Sequence, residues 1–382
     1  MSARVGHHLL FAVVFLVCST LALTALASCT STGPDDSVTS SARSTTTREP
    51  SDQGTGQWTK IESQSAPPAR LAHSAVFDTH LNGMLIFGGT TFETRQVEFS
   101  DTWLYQPASK GWEDLGPSSA FPGPVYFVPT TYDPVGLRSI LLRTANTTEG
   151  EGAPEVTTWA FDSTRRGWSE LAPEASPPPT VSLVGTMVYC DATESVFLLD
   201  GDELWEYIPA ENTWRVRPMS GTVPEPRVGA SFAYAPGLET IVLFGGWTSA
   251  GPLNDTWLLE PESASWSKLE PPRAPPSRSQ GSLAVDPGGG DLILFGGTTQ
   301  SGSEALSFGL RGGTVEGLLG DTWSLDIEAA SWTRLEPQNA PSPRAFHSMV
   351  YDSASNSLLL FGGLSSSAPL MDTWTYELPE GE

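Results

Sequence analysis

Four arginines, Arg70, Arg227, Arg278 and Arg344, occupy one position of a recurring pattern, and His73 and His347 stand three residues after the first and last of them. A ring of guanidinium groups holds anions through bidentate hydrogen bonds, so these residues could recognise a carboxylate or an acidic sugar. The matching positions of two further repeats are Pro124 and Thr180, which leaves such a ring incomplete. The competing expectation is structural, with each arginine bonded to carbonyls or acids of an adjacent repeat. Trp247 directly follows Phe244-Gly245-Gly246 and would stack on a sugar, anchor a partner or cap a neighbouring repeat. The long insertion Thr298 to Gly320 carries Phe308 and Arg311 amid Gly and Ser, and reads as a lid or as a plain connecting loop. Arg70, His73, Arg227, Arg278, Arg344, His347, Trp247, Phe308 and Arg311 form the candidate ligand-binding set.

Signals for catalysis or for metal are sparse. Past the first 28 residues the histidines are His73, His80 and His347, and no C-x2-C spacing occurs. There is no G-x-S-x-G, phosphate loop or nucleotide fingerprint either, so neither a metal nor a cofactor is expected. No catalytic residue can be assigned.

The elements that position these side chains follow from composition and spacing. The chain has 382 residues with 37 Gly, 32 Pro and 13 Trp, and from Gln57 onward its longest stretch free of Gly and Pro is the 18 residues Arg344 to Phe361. That pattern argues against long helices. An apolar content of 39% and a charged content of 17% suffice for a folded core. The net charge of −24 repels nucleic acid and anionic membrane surfaces.

Twelve of the 13 tryptophans fall on two series. Trp103, Trp159, Trp205, Trp257 and Trp323 are each followed nine residues later by Trp112, Trp168, Trp214, Trp266 and Trp332. Trp374 has no such follower and Trp58 no such predecessor, so Trp58 supplies the missing member and the repeat closes on itself. A second landmark, Phe77, Tyr132, Tyr189, Tyr234, Val285 and Tyr351, is followed ten residues later by Phe87, Leu142, Leu199, Phe244, Phe295 and Phe361. Each repeat therefore reads as four short strands, a to d, with the tryptophan pair on c and d. The fold class is all-β, a six-bladed β-propeller of four-stranded antiparallel blades closed by the N-terminal strand around Trp58.

The motifs resemble those of the kelch family. They are Phe87-Gly88-Gly89 with Asp101-Thr102-Trp103, Phe244-Gly245-Gly246 with Asp255-Thr256-Trp257, Phe295-Gly296-Gly297 with Asp321-Thr322-Trp323, and Phe361-Gly362-Gly363 with Asp372-Thr373-Trp374. Repeats two and three depart from the pattern, with Leu142-Arg143-Thr144 and Leu199-Asp200-Gly201 in place of Phe-Gly-Gly. The resemblance implies a binding module. It also offers an enzymatic alternative, because sialic acid epimerases are six-bladed kelch propellers, and the arginines and histidines of strand a are the feature compatible with action on an anionic sugar.

Loop lengths point to one face. The a–b and c–d intervals are constant and the d–a interval runs 19 to 21, whereas the b–c interval runs 16, 17, 6, 13, 28 and 13. Variation gathers on the face of the b–c and d–a connections, where function is built on a rigid scaffold. The expected partner is a protein or glycan, of anionic character if the arginines are free, bound by a monomer.

The first residues read as an export address or, alternatively, as an uncleaved membrane-spanning helix, since about 19 mostly apolar residues can span a bilayer. Arg4 precedes the apolar run Leu9 to Ala27, which ends in Leu26-Ala27-Ser28-Cys29 and resembles the lipobox of bacterial lipoproteins. The resemblance implies residues 1–28 as a signal peptide, lipidation at Cys29, a Ser/Thr-rich tether over 29–56 and the propeller over 57–382, with the protein in the cell envelope, anchored to a membrane through its lipid alone and placed at the outer membrane or cell surface.

Overall fold

The computed structural model describes residues 56–63, 65–92, 96–116, 120–145, 155–178, 186–285, 291–301 and 314–378. The expected signal peptide, Cys29 and all but the last residue of the expected tether lie outside the described residues, as do Phe308 and Arg311.

The described chain is all β apart from one 3-10 turn at Pro236–Leu238. It forms the six blades expected from the tryptophan spacing, each an antiparallel meander of strands a, b, c and d. Blade 1 comprises Ser74–Asp78, Gly83–Phe87, Thr102–Gln106 and Gly111–Asp114; blade 2 Thr130–Asp133, Arg138–Ala145, Glu155–Asp162 and Gly167–Leu171; blade 3 Thr186–Cys190, Ser195–Asp200, Glu203–Ile208 and Thr213–Arg217. Blade 4 comprises Ser231–Ala235, Thr240–Phe244, Thr256–Glu260 and Ser265–Leu269; blade 5 Ser282–Val285, Leu292–Thr298, Leu318–Asp326 and Ser331–Leu335. Blade 6 takes Ser348–Asp352, Ser357–Phe361 and Thr373–Glu377 from the end of the chain and Gln57–Ile61 from its beginning.

Closure is a full strand pairing, from Gln57 opposite Glu377 to Ile61 opposite Thr373. Strand d of blade 6 therefore starts on the side where the other blades have their c–d turns, so the chain enters the propeller on the a–b/c–d face. The two blades without Phe-Gly-Gly make different b–c connections. Blade 2 extends both strands, pairing Ala145 with Glu155, and blade 3 uses a two-residue turn between Asp200 and Glu203 in which Gly201 takes φ +60°.

The core lies between blades. Val76, Leu85 and Phe87 of blade 1 pack on Tyr132, Leu141, Trp159 and Trp168 of blade 2, and the other junctions repeat the arrangement. The apolar residues of strand b are buried on both faces of the sheet, as in Leu358, Leu359 and Leu360.

One ladder of hydrogen bonds links the blades and depends on the threonine directly before the strand-c tryptophan. Five of the six strand-d tryptophans donate their indole N–H to the threonine preceding the strand-c tryptophan of the previous blade: Trp112 to Thr373 (3.0 Å), Trp168 to Thr102 (3.0 Å), Trp214 to Thr158 (3.1 Å), Trp332 to Thr256 (3.0 Å) and Trp58 to Thr322 (3.2 Å). The sixth step is different because blade 3 has Leu204 there, and the Trp266 indole turns to the sulfur of Met219 at 3.1 Å. A buried indole left without an acceptor costs about 1–3 kcal/mol, so the ladder fixes how neighbouring blades register.

Candidate functional site

The candidate residues sit where strand a begins, on the b–c/d–a face. Arg70 is 0% exposed and makes a bidentate pair with Asp101 of its own blade, Nη1 to Oδ1 at 2.6 Å and Nη2 to Oδ2 at 2.8 Å. Its Nη1 also donates to the Gly88 carbonyl at 2.8 Å and its Nε to the Pro68 carbonyl at 3.1 Å. The same four bonds recur for Arg227 with Asp255, Gly245 and Glu225; for Arg278 with Asp321, Gly296 and Pro276; and for Arg344 with Asp372, Gly362 and Ser342. Each aspartate in turn accepts the indole N–H of its own Trp103, Trp257, Trp323 or Trp374 at 2.7–2.8 Å.

This corrects the expectation of a positive rim. The guanidinium groups are consumed inside the blades, where they lock the Phe-Gly-Gly turn to the Asp-Thr-Trp strand. Burial opposes ionisation of Asp101, Asp255, Asp321 and Asp372, but the hydrogen bonds and charge of the paired arginine, with the indole, outweigh it and hold all four carboxyls below the usual aspartate range. The alignment of repeat two also changes. The second glycine of each motif donates its N–H to the carbonyl of the arginine in the next blade, as Gly246 does to Arg278 (2.8 Å), Gly297 to Arg344 (2.8 Å) and Gly363 to Arg70 (2.9 Å), while Gly89 donates to Val125 at 2.7 Å. Val125, not Pro124, is thus the counterpart of the arginines, and Thr180 lies outside the described residues.

The first glycine is required by that same approach. A Cβ on Gly296 would stand 2.6 Å from the Arg344 carbonyl oxygen and one on Gly362 2.8 Å from that of Arg70, and both glycines have φ near +65°.

His73 and His347 are wedges between blades. The His73 ring packs edge-on to Phe361 at 5.3 Å, with its Nε2 2.7 Å from the Ser348 hydroxyl; the His347 ring packs edge-on to Phe295 at 5.5 Å. Both are 7% exposed. Burial, reinforced by the charge of Arg70, lowers the His73 pKa to about 3, and burial with the charge of Arg344 places His347 well below its ordinary value. Both imidazoles are neutral at physiological pH, and neither presents an acid or base to solvent. Among the described residues no group of three or more His, Cys, Asp and Glu is placed to hold a metal. Cys190 is buried in the core between blades 3 and 4.

Between these wedges the channel mouth is ringed by backbone. Ala72, Phe127, Gln280 and Phe346 take φ from +53° to +59° and Gly229 +64°, and their amides bond around the ring: Gln280 to Gly229, Phe346 to Gln280, Ala72 to Phe346 and Phe127 to Ala72, at 2.8–3.1 Å. Left-handed conformations at four residues with side chains cost energy that these inter-blade bonds offset. An open cavity of about 260 Å³ lies at this mouth. Ser74, Ser231, Ser282 and Ser348 line it, and the Phe127 and Phe346 rings meet edge-on at 5.5 Å.

Trp247 occupies a repeated place too. Its backbone bridges Val228, as Thr90 bridges Leu71, Thr298 bridges Ser279 and Leu364 bridges Ala345. Those three counterparts are 0–2% exposed, whereas Trp247 is half-buried and begins a short hairpin to Pro252. Of the described candidates it is the one on this face with side-chain surface to offer.

These features define a six-bladed β-propeller whose repeat motifs are similar to those of kelch proteins. Residues 199–379 match the family described as the KLHDC2/KLHL20/DRC7 Kelch-repeats domain. The chain is similar to Adagio-like protein 3 of Oryza sativa subsp. japonica, 31% identical over 172 residues covering 44% of this chain and 24% of that protein. It is also similar to Kelch domain-containing protein 2 of Rattus norvegicus, 29% identical over 194 residues covering 46% and 45% respectively. The chain thus spans less than half the length of these relatives. Among solved structures, that of YjhT superposes with a TM-score of 0.61 at 14% identity, over 84% of this chain and 98% of that one, a likeness of fold.

Proposed function

We propose that this propeller is a binding module of the cell envelope, held to a membrane by lipidated Cys29, and that it captures a partner protein on the b–c/d–a face. The observation that carries the reading is one of sidedness. The chain enters on the a–b/c–d face, where the a–b and c–d turns are nearly uniform, while the opposite face bears the connections that differ in length from blade to blade. On that face the motif arginines and histidines are spent on the scaffold. The anionic-sugar alternative leaned on those residues, and their burial removes its support. What the face offers a partner is the side-chain surface of Trp247, the exposed Val97 and Met371, and the loops around them.

Trp247→Ala tests the reading. In capture from an envelope extract by the immobilised full chain, the variant is expected to hold its partner at least ~10-fold more weakly while melting at the temperature of the wild type. Undiminished capture would remove Trp247 from the interface, and a glycan retained in place of a protein would replace the partner class.

A further inference from the structure

Blade 5 holds a second, larger cavity, of about 520 Å³. Its apolar walls are Pro276 from the connection between blades 4 and 5, Pro343 from the connection between blades 5 and 6, and Leu318 and Leu319 where the long insertion rejoins strand c. Arg273 and Arg334 also line it. The guanidinium carbon of Arg273 lies 5.5 Å from the centroid of the Trp323 ring, its side chain is exposed, and no carboxylate pairs with it among the described residues. Arg334 forms an exposed ion pair with Glu336 at 3.7 Å, too long for a hydrogen bond, so its donors stay open while its charge is partly matched. Asp321 lines the cavity as well, but its charge is matched by Arg278 through two hydrogen bonds, at 2.7 and 2.8 Å. Among the described residues the charge at this cavity that no carboxylate pairs is therefore the positive one of Arg273, on a chain whose net charge is −24.

The repeat shows why the site is confined to blade 5. Arg334 stands opposite Trp323 across strands c and d; the same register place holds Asp114 opposite Trp103, Glu170 opposite Trp159 and Val216 opposite Trp205. Lys268 and Lys60 keep a cation in blades 4 and 6, opposite Trp257 and Trp374. Blade 5 alone has the 28-residue b–c interval whose returning strand supplies Leu318 and Leu319 as a wall.

We infer that this cavity binds a small amphipathic carboxylate, an acid with an aliphatic or aromatic body. A planar guanidinium fork matches a carboxylate in shape and donates two parallel hydrogen bonds, and here two forks that donate no hydrogen bond among the described residues flank one cavity. The prolines and leucines would bury the apolar body, and the volume is within the range of small-ligand pockets. The inference goes beyond partner capture and does not depend on it.

Ligand-observed saturation-transfer NMR on the full chain tests it, with hexanoate and its uncharged isostere hexanamide as probes. Hexanoate is expected to saturate, with hexanamide at least ~5-fold weaker. Arg273→Gln and Arg334→Gln should each weaken hexanoate by ~10-fold, and Arg273→Lys should recover part of the loss, all at unchanged melting temperature because both side chains are exposed. Absence of hexanoate saturation, equal binding of hexanamide, or hexanoate binding indifferent to both glutamine variants would overturn the assignment. The comparison of the two probes on the wild type decides the matter even if a variant misfolds.

Discussion

Deletion of Gln57–Ile61 is expected to abolish the cooperative thermal melt of the propeller at its wild-type temperature. The segment is the outer strand of blade 6, paired with Thr373–Glu377 along its whole length. Its loss strips the cover from Phe295, Leu360 and Tyr376, which pack with Trp58 in one buried cluster. The Trp58 ring lies 5.0 Å from both Phe295 and Tyr376, bridging blades 5 and 6. Replacing Trp58 alone by Ala should cost about 3–5 kcal/mol through the cavity it leaves, with a further contribution from the unpartnered Thr322 hydroxyl. That is a large part of the roughly 5–15 kcal/mol by which folded domains exceed their unfolded states. Calorimetry checks both variants, and a deletion that melts like the wild type would show that the ring is not closed by its first strand.

Arg344→Ala should destabilise by about 3–5 kcal/mol, because it leaves the Asp372 carboxylate and the Gly362 carbonyl without their partner in a largely buried site. Asp372→Ala should cost as much, since the Arg344 side chain is 0% exposed and would be charged and unpaired. The double variant should be far less damaging than the sum, and the coupling is measured by denaturant unfolding of the four proteins. An arginine kept for ligand recognition behaves oppositely: its removal weakens a ligand and leaves stability within about 0.5 kcal/mol. Unfolding curves for Arg344→Ala that overlay the wild type would return Arg344 to the binding surface.

The architecture was legible because its signal is periodic and its cause is local. Tryptophans on strands c and d fill the space between blades at every turn of the ring, so their spacing survives where other motifs fail, as in blades 2 and 3. The unpaired Trp58 disclosed the closure for the same reason. Less of the site was legible. The arginine pairs span 28 to 43 residues and no local rule joins their members. A signal existed all the same: the blades with the strand-a arginine are those with Asp-Thr-Trp, while blade 2 has Val125 and Thr157, and blade 3 has Glu203 in place of the aspartate. The d–a interval differs by a residue between blades 1 and 2, 19 against 20, which is the offset between Pro124 and Val125. Counting seven residues back from Tyr132, as from Phe77 to Arg70, gives Val125. The threonine ladder was present as five threonines directly before strand-c tryptophans, with Leu204 as its one exception. The αL ring at the channel mouth left no trace, since Phe127, Gln280 and Phe346 are held there by inter-blade bonds against their own preference.

The central claim is that one face of this closed ring is reserved for a partner. Site-specific photo-crosslinking tests it most directly, with a benzophenone side chain replacing Trp247, Met371 or Val135 in turn. Trp247 and Met371 lie on the b–c/d–a face, and Val135, 69% exposed, lies in an a–b turn of the other. The expected result is a partner adduct from positions 247 and 371 and none from 135. Adducts from position 135 alone would contradict the account.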